Sequence, residues 1–489
     1  MASLIIVLLL LLPLLGVLSV VGAHHFQRTR VWVVTLTSVS SLVLSILLLL
    51  FSEGDTSYNV GGWSPPYGIV LRADMLTLIM LVITSIVFTS ASLYEWGRES
   101  AEPERTAKMT YHLTFPMLLL GLNGLFLTAD FFNFYVFFEL VAVSSYLLVA
   151  MGRHHSLEAA WKYAAISVPS SVALLSGVAF IYGITGSLNM ADVSTRLEEP
   201  ALWLAPLILV AFFIKSSIFP FHLWQPDAYA AASTAGSVVL SGALANVGIY
   251  GLLRFWPLLF QDRLRWIFLW IGMGSVIFGA VAAWIEKDAK RLLAFSSISQ
   301  LGFVLVGIGW GTIPSLAASI VFLAHHSLGK PLLFQCAGLL TDSVGSTRLG
   351  AVGGLGARIP WVGAAFFLGS LSLIGLPPAL GFIGKLSILH AGIGLRSWPW
   401  VLGVAAGTLM TLGYAVRAYQ ALFWQVDAPR SASQAPVARA PWPAYLAIGV
   451  LAFTLLAAGL SARPVWELSR KAAVFTRLIV QAAPGKGAP

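Results

Sequence analysis

Ionisable side chains stand inside long apolar stretches of this 489-residue chain. There are four lysines and one acid: Lys162, Lys215, Lys330, Lys385 and Glu139. A charge near the middle of a bilayer costs at least about 2.5–3.5 kcal/mol, so such residues persist where they face water or one another. They are therefore candidates for binding or moving ions. Lys162 stands at the start of its apolar run, so for this residue an equal alternative is a side chain that reaches the membrane surface.

Amines, carboxylates and imidazoles in this setting are suited to loading and releasing protons. Burial in a low dielectric favours a neutral amine, whereas a nearby carboxylate favours the charged amine. Glu139 and Lys215 would therefore form a tunable proton site, provided that they are close in space. His326 and Lys330, in HHSLGKPLLF, are four residues apart and share a helix face. Histidine titrates near neutrality and suits a proton relay; the alternative is a buried imidazole bonded to a neighbouring helix.

Two of the lysines stand beside prolines that would break their helices. Pro220 follows Lys215 in FFIKSSIFPFHLWQPD, whereas Pro377 and Pro378 precede Lys385 in LSLIGLPPALGFIGKLSILHA. Broken helices are tolerated in a membrane where their freed carbonyls line a cavity. Interrupted helices at corresponding places in two halves indicate an inverted-repeat transporter, and the opposite order of lysine and proline fits opposite chain directions. For either site alone, the alternative is a packing kink beside an unrelated lysine.

The rest of the chain predicts the elements that position these groups. It is 58% hydrophobic and only 10% charged, which is too little charge for a soluble surface. Apolar runs recur that are each long enough to span a bilayer of about 30 Å. The sequence therefore predicts an all-α polytopic membrane protein with about 14 spans. These spans are 2–22, 31–51, 69–94, 111–129, 130–151, 160–182, 203–221, 228–256, 265–285, 292–310, 313–340, 359–389, 398–424 and 442–461.

The two ends of the chain have distinct predictions. The first apolar run lacks a basic segment and an A-x-A cleavage site, so we expect a retained helix rather than a signal peptide. Residues 464–489 are predicted to form a short tail with a surface helix at WELSRKAAVFTRLIV. Lys and Arg are concentrated in one set of alternating loops, which predicts that those loops are cytoplasmic and that both termini face outward.

Several function classes lack their motifs in this sequence. The net charge of +9 comes without a basic cluster of interleaved aromatics, so nucleic-acid binding is not expected. Cys336 is the single cysteine, which excludes disulfides and cysteine-based metal clusters. The adjacent His154 and His155 do not share a helix face for a metal, and residues 95–108 are predicted to be a solvated loop. With no nucleotide loop, flavin motif or iron–sulfur ligands, no cofactor or redox chemistry is expected in this chain alone.

Six segments, in this order, resemble the antiporter-like family shared by respiratory complex I, membrane-bound hydrogenases and Mrp-type cation/proton antiporters. They are FFNFYVFFELVAVSSYLLVA, AAWKYAAIS, FFIKSSIFPFHLWQPDA, DAKRLLAFSSISQLGF, HHSLGKPLLF and LPPALGFIGKL. The resemblance implies about 14 helices with two inverted five-helix repeats and broken helices 7 and 12. It divides the chain into helices 1–3 (residues 1–110), a first repeat of helices 4–8 (111–257), a second repeat of helices 9–13 (258–425), and helix 14 with the tail (426–489).

The resemblance also implies proton translocation along a polar axis at mid-membrane. One position departs from the pattern: Asn246, in LSGALANVGIYGLL, stands where many members have a lysine on helix 8. This removes a titrating step between the halves, so ordered water, the helix-11 histidine or a non-pumping role must fill the gap. The residues that match the family's axis are Glu139 in helix 5, Lys162 in helix 6, Lys215 in helix 7, Lys330 in helix 11 with His326 one turn earlier, and Lys385 in helix 12.

The segments GFIGKLSILHA and RAYQALFW are most similar to the D subunit of Mrp-type antiporters, whereas WQPDAY is more similar to complex I and hydrogenase members. We therefore expect the D subunit of an Mrp-type Na⁺/H⁺ antiporter, assembled with other membrane subunits in the bacterial inner membrane. The alternative is a proton-pumping subunit of a complex I or hydrogenase complex, driven by electron transfer in its partners. A stand-alone transporter of an organic solute, a structural subunit whose charges lock helices together, and a membrane enzyme are further alternatives, although no nucleophile–base pair stands out.

Overall fold

The computed structural model of the chain describes residues 1–52, 54–98, 109–152, 155–197, 204–257, 262–349, 359–424 and 441–478. Within these ranges twelve helices are long and apolar enough to cross a membrane. They are α1 (Ala2–Gly22), α2 (Gln27–Phe51), α3 (Met75–Arg98), α4 (Met109–Leu127), α5 (Phe131–Ala150), α6 (Ser156–Thr185), α8 (Thr234–Phe255), α9 (Arg265–Ile285), α10 (Ala289–Trp310), α11 (Ile313–Val344), α13 (Trp398–Trp424) and α14 (Trp442–Leu460).

Two helices in this series are broken, and their segments are shorter. The first consists of α7a (Ala205–Lys215) and α7b (Gln225–Ala231), and the second of α12a (Pro360–Ile374) and α12b (Leu380–Gly394). The breaks contain the prolines that predicted them, because proline lacks the N–H that would continue a helical ladder. The predicted spans 203–221 and 359–389 fall on these two broken helices.

A small antiparallel sheet joins α2 to α3. Strands β1 (Asp55–Asn59) and β2 (Val70–Asp74) pair in this hairpin, and Arg72 donates two hydrogen bonds to Asp55, of 2.8 and 2.7 Å. The predicted span 69–94 was therefore wrong at its start, since residues 70–74 form a strand. Asp74 ends the strand and caps α3 by accepting a 3.0 Å hydrogen bond from the backbone N–H of Thr77. We call the end of the bundle with this sheet the hairpin face.

The helices differ strongly in how deeply they are buried. The most apolar stretches of α8 and α11 are 100% buried and that of α10 is 94% buried, whereas those of α1 and α14 are each 33% buried. Helices α8, α10 and α11 therefore form the centre of the bundle, and the outer helices present apolar faces such as a membrane would cover. Polar groups on the central helices must find their partners inside the protein.

The prediction of a surface helix in the tail is confirmed, whereas the predicted loop 95–108 is wrong at its start. The predicted surface helix of the tail is present as α15 (Ala462–Leu478), whose Ala472 and Ala473 are buried against α11 and α3. The predicted solvated loop 95–108 begins too early, because α3 continues to Arg98 and the Glu95 side chain is buried. Residues 99–108, His154 and the tail after 478 lie outside the described ranges.

Candidate functional site

The first broken helix ends at one of the predicted lysines. Lys215 is the last residue of α7a and is fully buried. Ser217 follows with a positive φ of 53°, which turns the chain away from the helix axis. Trp224, just before α7b, donates a 2.9 Å hydrogen bond to the carbonyl of Ile214. This bond satisfies one of the carbonyls that a helix end leaves without a donor, so the break is stabilised beside the amine.

Aromatic rings surround the Lys215 amine. Its Nζ donates a 3.4 Å hydrogen bond to the hydroxyl of Tyr163 and lies 5.0 Å from the ring centre of Phe138 and 5.8 Å from that of Tyr146. Such rings attract a cation through their faces. The Tyr163 hydroxyl also lies 2.9 Å from the Ser145 hydroxyl. The amine therefore has one short hydroxyl chain leading away from it, from α7a through α6 to α5.

Glu139 on α5 is close enough to Lys215 for its charge to act on the amine, which was the condition for the proton site suggested by the sequence. Among the residues that the structure describes, the two do not form a direct ion pair, and the buried Oε1 of Glu139 has no hydrogen-bond partner. A buried carboxylate oxygen without a hydrogen-bond donor is costly. Glu139 therefore acts on the amine through its charge and not through a direct ion pair.

The second broken helix holds its lysine differently. Lys385, in the second turn of α12b, reaches back across the break and donates hydrogen bonds of 2.9 and 3.1 Å to the carbonyls of Leu373 and Ile374. These carbonyls belong to the last turn of α12a, where no backbone N–H of the helix remains to bond them. Gly375 makes room for the lysine: its φ is 89°, and a Cβ there would lie 2.7 Å from Lys385 Cδ. The break and the amine thus depend on each other.

Helix α11 supplies the groups between the two breaks. Lys330 is fully buried and donates to the Ser296 hydroxyl and, over 3.1 Å, to the carbonyl of Leu293, both on α10. His326, one turn earlier, is fully buried, and neither of its ring nitrogens has a partner in the described part of the chain. The sequence analysis did not select His325, whose Nδ1 lies 2.8 Å from the Ser372 hydroxyl on α12a.

Side-chain amides form hydrogen bonds between the central helices of the bundle. Asn246 on α8 is fully buried and donates hydrogen bonds of 2.8 Å to the Ser327 hydroxyl on α11 and 2.7 Å to the carbonyl of Gly242. Gln225, the first residue of α7b, donates a 3.4 Å hydrogen bond to the carbonyl of Ala294 on α10. The position that lacks the family's lysine is therefore filled by a neutral, hydrogen-bonded pair.

Residues 128–411 match the sequence profile described as NADH:quinone oxidoreductase/Mrp antiporter, transmembrane. The chain belongs to this antiporter family. It is 33% identical over 431 residues to the D subunit of the Na(+)/H(+) antiporter of Alkalihalophilus pseudofirmus and 31% identical over 430 residues to that of Bacillus subtilis, each covering 86% of this chain and 87% of the relative. A chain in the structure of the Mrp complex from Dietzia sp. DQ12-45-1b superimposes with a TM-score of 0.88 at 25% identity, over 98% of this chain and 99% of that one.

Lys162, unlike the three other lysines selected from the sequence, lies at the protein surface. Its side chain is 47% exposed and forms ion pairs of 2.8 Å with Glu158 and 3.3 Å with Asp227. These groups and Arg291 line an open bowl of about 390 Å³ at the face opposite the hairpin. The structure therefore does not bring Lys162 together with the buried amines. Its surface position matches the alternative that its place in the sequence left open.

The sequence analysis did not predict the buried ion pair between Arg254 and Asp74 in this antiporter-family chain. Arg254, which lies in the predicted span 228–256 but was not selected as a site residue, pairs with Asp74, which is fully buried. The arginine also donates a 2.7 Å hydrogen bond to the Thr77 hydroxyl and a 2.6 Å bond to the Tyr250 hydroxyl. Asp74 and Arg254 are 180 residues apart in the chain, so no local pattern signals the pair. It ties α8 to α3 at the hairpin face.

Proposed function

We propose that the chain is the D-type component of an Mrp-type Na⁺/H⁺ antiporter and moves protons along its buried polar groups. The observation that carries this proposal is that Lys215 and Lys385 are both buried at the breaks of two helices. Burying an amine is costly, and a broken helix in a membrane is tolerated where it lines a polar cavity. Membership of the antiporter family and similarity to the D subunits of Na(+)/H(+) antiporters support the same function.

The proposed path joins the buried titratable groups of the two broken helices and α11. A proton resides on Lys215, whose affinity Glu139 sets through its charge, and the Tyr163 hydroxyl offers a route to and from the amine. From there the proton passes to His326 and Lys330, and then to Lys385, whose charge acts on Lys330. Each transfer leaves one group neutral as the next becomes charged, so no oxidant or reductant is needed.

The proposed architecture has fourteen spans, with α7 and α12 added to the twelve long helices. Residues 111–257 and 258–425 would form two inverted five-helix repeats, preceded by 1–110 and followed by 426–489. The mirrored positions of the lysines support this division, because Lys215 ends the segment before its break and Lys385 lies in the segment after its break. The loop arginines and lysines support outward-facing termini in a bacterial inner membrane.

The partners in this proposal are other membrane subunits, protons, Na⁺ and lipid. A second candidate function is a proton-pumping subunit of a complex I or hydrogenase complex, and the family, which covers both kinds of assembly, supports it. In that case electron transfer in partner subunits would drive the protons, whereas in the Mrp-type complex Na⁺ would exchange for them. Proton flux that depends on an imposed Na⁺ gradient distinguishes the two.

The test uses the whole complex reconstituted in vesicles. We expect Lys215→Ala and Glu139→Ala to remove Na⁺-driven proton flux while the complex assembles normally. Lys162→Ala is a matched control, because it also removes an amine but from the surface. Normal flux in Lys215→Ala vesicles would show the proposed path to be wrong. Loss of assembly in place of loss of flux would favour a structural role for the buried charges.

A further inference from the structure

Glu95 and a row of serines on α8 lead from the face opposite the hairpin to the centre of the bundle. We propose that this row is a second route of proton access, which delivers protons through Ser327 to the α11 groups without passing Lys215, and that each transport cycle needs a proton from both routes. The proposal rests on the proposed function, since it requires that the centre of the bundle moves protons. Its parts are Glu95, Tyr111, Ser233, Ser237, Ser241, Asn246 and Ser327.

The outer end of the row is a buried carboxylate in a hydroxyl chain. Glu95 is 7% exposed near the end of α3, and its Oε2 accepts a 3.0 Å hydrogen bond from Tyr111 on α4. The Tyr111 hydroxyl lies 2.9 Å from that of Ser233. Ser233 is the N-cap of α8, where its oxygen accepts a 2.8 Å bond from the backbone N–H of Gly236. Three helices therefore hold one chain of polar atoms at this face.

The middle of the row lies along α8. Ser237 and Ser241 follow Ser233 at intervals of four residues, and all three are fully buried. One helical turn rises about 5.4 Å, a gap that one water molecule can bridge between two hydroxyls. Ser237 shares its single hydroxyl hydrogen between the carbonyls of Ser233 and Tyr229, over 2.9 and 2.8 Å. Its two lone pairs stay available, because a hydroxyl donates one hydrogen bond and accepts up to two.

A π-helical turn carries the row on to the centre. Leu240–Leu244 form this turn, which takes in one residue more than an α-turn, so Asn246 follows Ser241 by one turn although it is five positions further along the chain. A Cβ on Gly242 would lie 2.3 Å from Pro331 Cγ, so only glycine lets α11 approach α8 this closely. Ser327 meets Asn246 at this contact.

The inner end of the row lies beside titratable groups. Ser327 directly follows His326, whose two buried ring nitrogens have no partner among the described residues, and Lys330 is three residues further along α11. Lys330 lies three residues after Ser327 and shares its helix face, so a proton that arrives at Ser327 is within one turn of an amine that can accept it. In each hop a hydroxyl gives one proton as it takes another, so the row stays neutral. Asn246 holds no proton and acts as a positioning residue for Ser327.

The experiment measures proton flux by the whole complex in vesicles. We expect Glu95→Gln to lower flux about a hundredfold, as for loss of a positioned proton-transfer group. Tyr111→Phe and Ser241→Ala should lower it about tenfold, because water can replace a hydroxyl in part. Glu95→Asp should restore most of the flux, which a purely structural role for the carboxylate does not predict. Ser38→Ala is the control, since Ser38 is buried and bonds only within α2.

Lys215→Ala is measured alongside to separate this proposal from the proposed function. If Lys215→Ala loses flux while Glu95→Gln, Tyr111→Phe and Ser241→Ala all keep normal flux, the α8 route is wrong and the proposed function stands. If Lys215→Ala keeps normal flux, the proposed function itself is wrong. Should Glu95→Gln prevent assembly, Tyr111→Phe and Ser241→Ala decide, because each removes only a hydroxyl group.

Discussion

Lys385 combines two roles that paired substitutions can separate. Its amine donates to the carbonyls of Leu373 and Ile374 at the end of α12a, and in the proposed path it also carries a proton. Lys385→Met keeps an unbranched side chain of similar length but removes the donors and the charge. Lys385→Gln removes the charge and keeps an NH₂ group with two donors, on a side chain one bond shorter.

The expected difference in stability follows from the hydrogen bonds. Lys385→Met leaves two buried carbonyls without a donor, at about 1–3 kcal/mol each, or about 2–6 kcal/mol together. Lys385→Gln satisfies both carbonyls but buries one new acceptor, its own amide oxygen, which costs about 1–3 kcal/mol. We therefore expect the Met variant to be less stable than the Gln variant by about 1–3 kcal/mol. Both variants should lose proton flux, because neither side chain carries a proton.

Two measurements on the assembled complex test this reasoning. Thermal unfolding in detergent should give a lower melting temperature for Lys385→Met than for Lys385→Gln. Flux measurements in vesicles should find both variants inactive, with Lys162→Ala as an active control. Normal flux in Lys385→Gln would remove Lys385 from the proton path, and equal melting temperatures for Met and Gln would show that the amine does not stabilise the break.

Three further predictions concern other groups of the bundle. Arg254→Met should destabilise the protein by about 3–5 kcal/mol, because it leaves Asp74 buried and unpaired. Thermal unfolding of the double variant that adds Asp74→Asn should recover most of this loss. Additive losses from the two substitutions would contradict the pairing. Tyr163→Phe should slow proton flux in vesicles about tenfold with little effect on assembly, since it removes one proton-transfer hydroxyl. Unchanged flux would exclude this hydroxyl from the path. Lys162→Ala should change the free energy of unfolding by less than about 1 kcal/mol, as for an exposed ion pair, which chemical denaturation can check.

The sequence predicted the parts of the fold that depend on local patterns. Runs of apolar residues located the helices, because each run must bury its backbone in a hydrocarbon layer. Pro220 and the Pro377–Pro378 pair located the breaks, since proline removes a helical donor. The hairpin of β1 and β2 was missed because its strands are short and lie at the edge of an apolar run. The bounds of α3 failed at both ends for a similar reason: hydropathy averages over a window and does not detect individual caps.

The site was predicted less completely, because its partners come from distant segments. Glu95 was assigned to a loop on the general rule that charges avoid a membrane interior, and Arg254 was not selected although it lies in the predicted span 228–256. Each is buried with a partner that removes much of the cost. The adjacent histidines show the same limit. Spacing from Lys330 selected His326, whereas the packing of α11 on α12a gives His325 its contact with Ser372. Helical periodicity defines a face but not the neighbour that the face meets.

The two broken helices stabilise their amines by different means, and this difference has a consequence for direction. Lys385 is held by two backbone carbonyls and lies 4.8 Å from the ring centre of Phe303, and none of these groups can change its charge. Lys215 is held by aromatic rings, a tyrosine hydroxyl and the field of Glu139, whose charge changes with protonation. A change in the charge of Glu139 therefore alters the proton affinity of the first amine and leaves the second almost untouched. Between them, Asn246 and Ser327 supply a neutral contact that holds no charge of its own. An event in a neighbouring protein of the complex that reaches Glu139 would then bias proton release at one end of the path only, which is the asymmetry that directed transport requires.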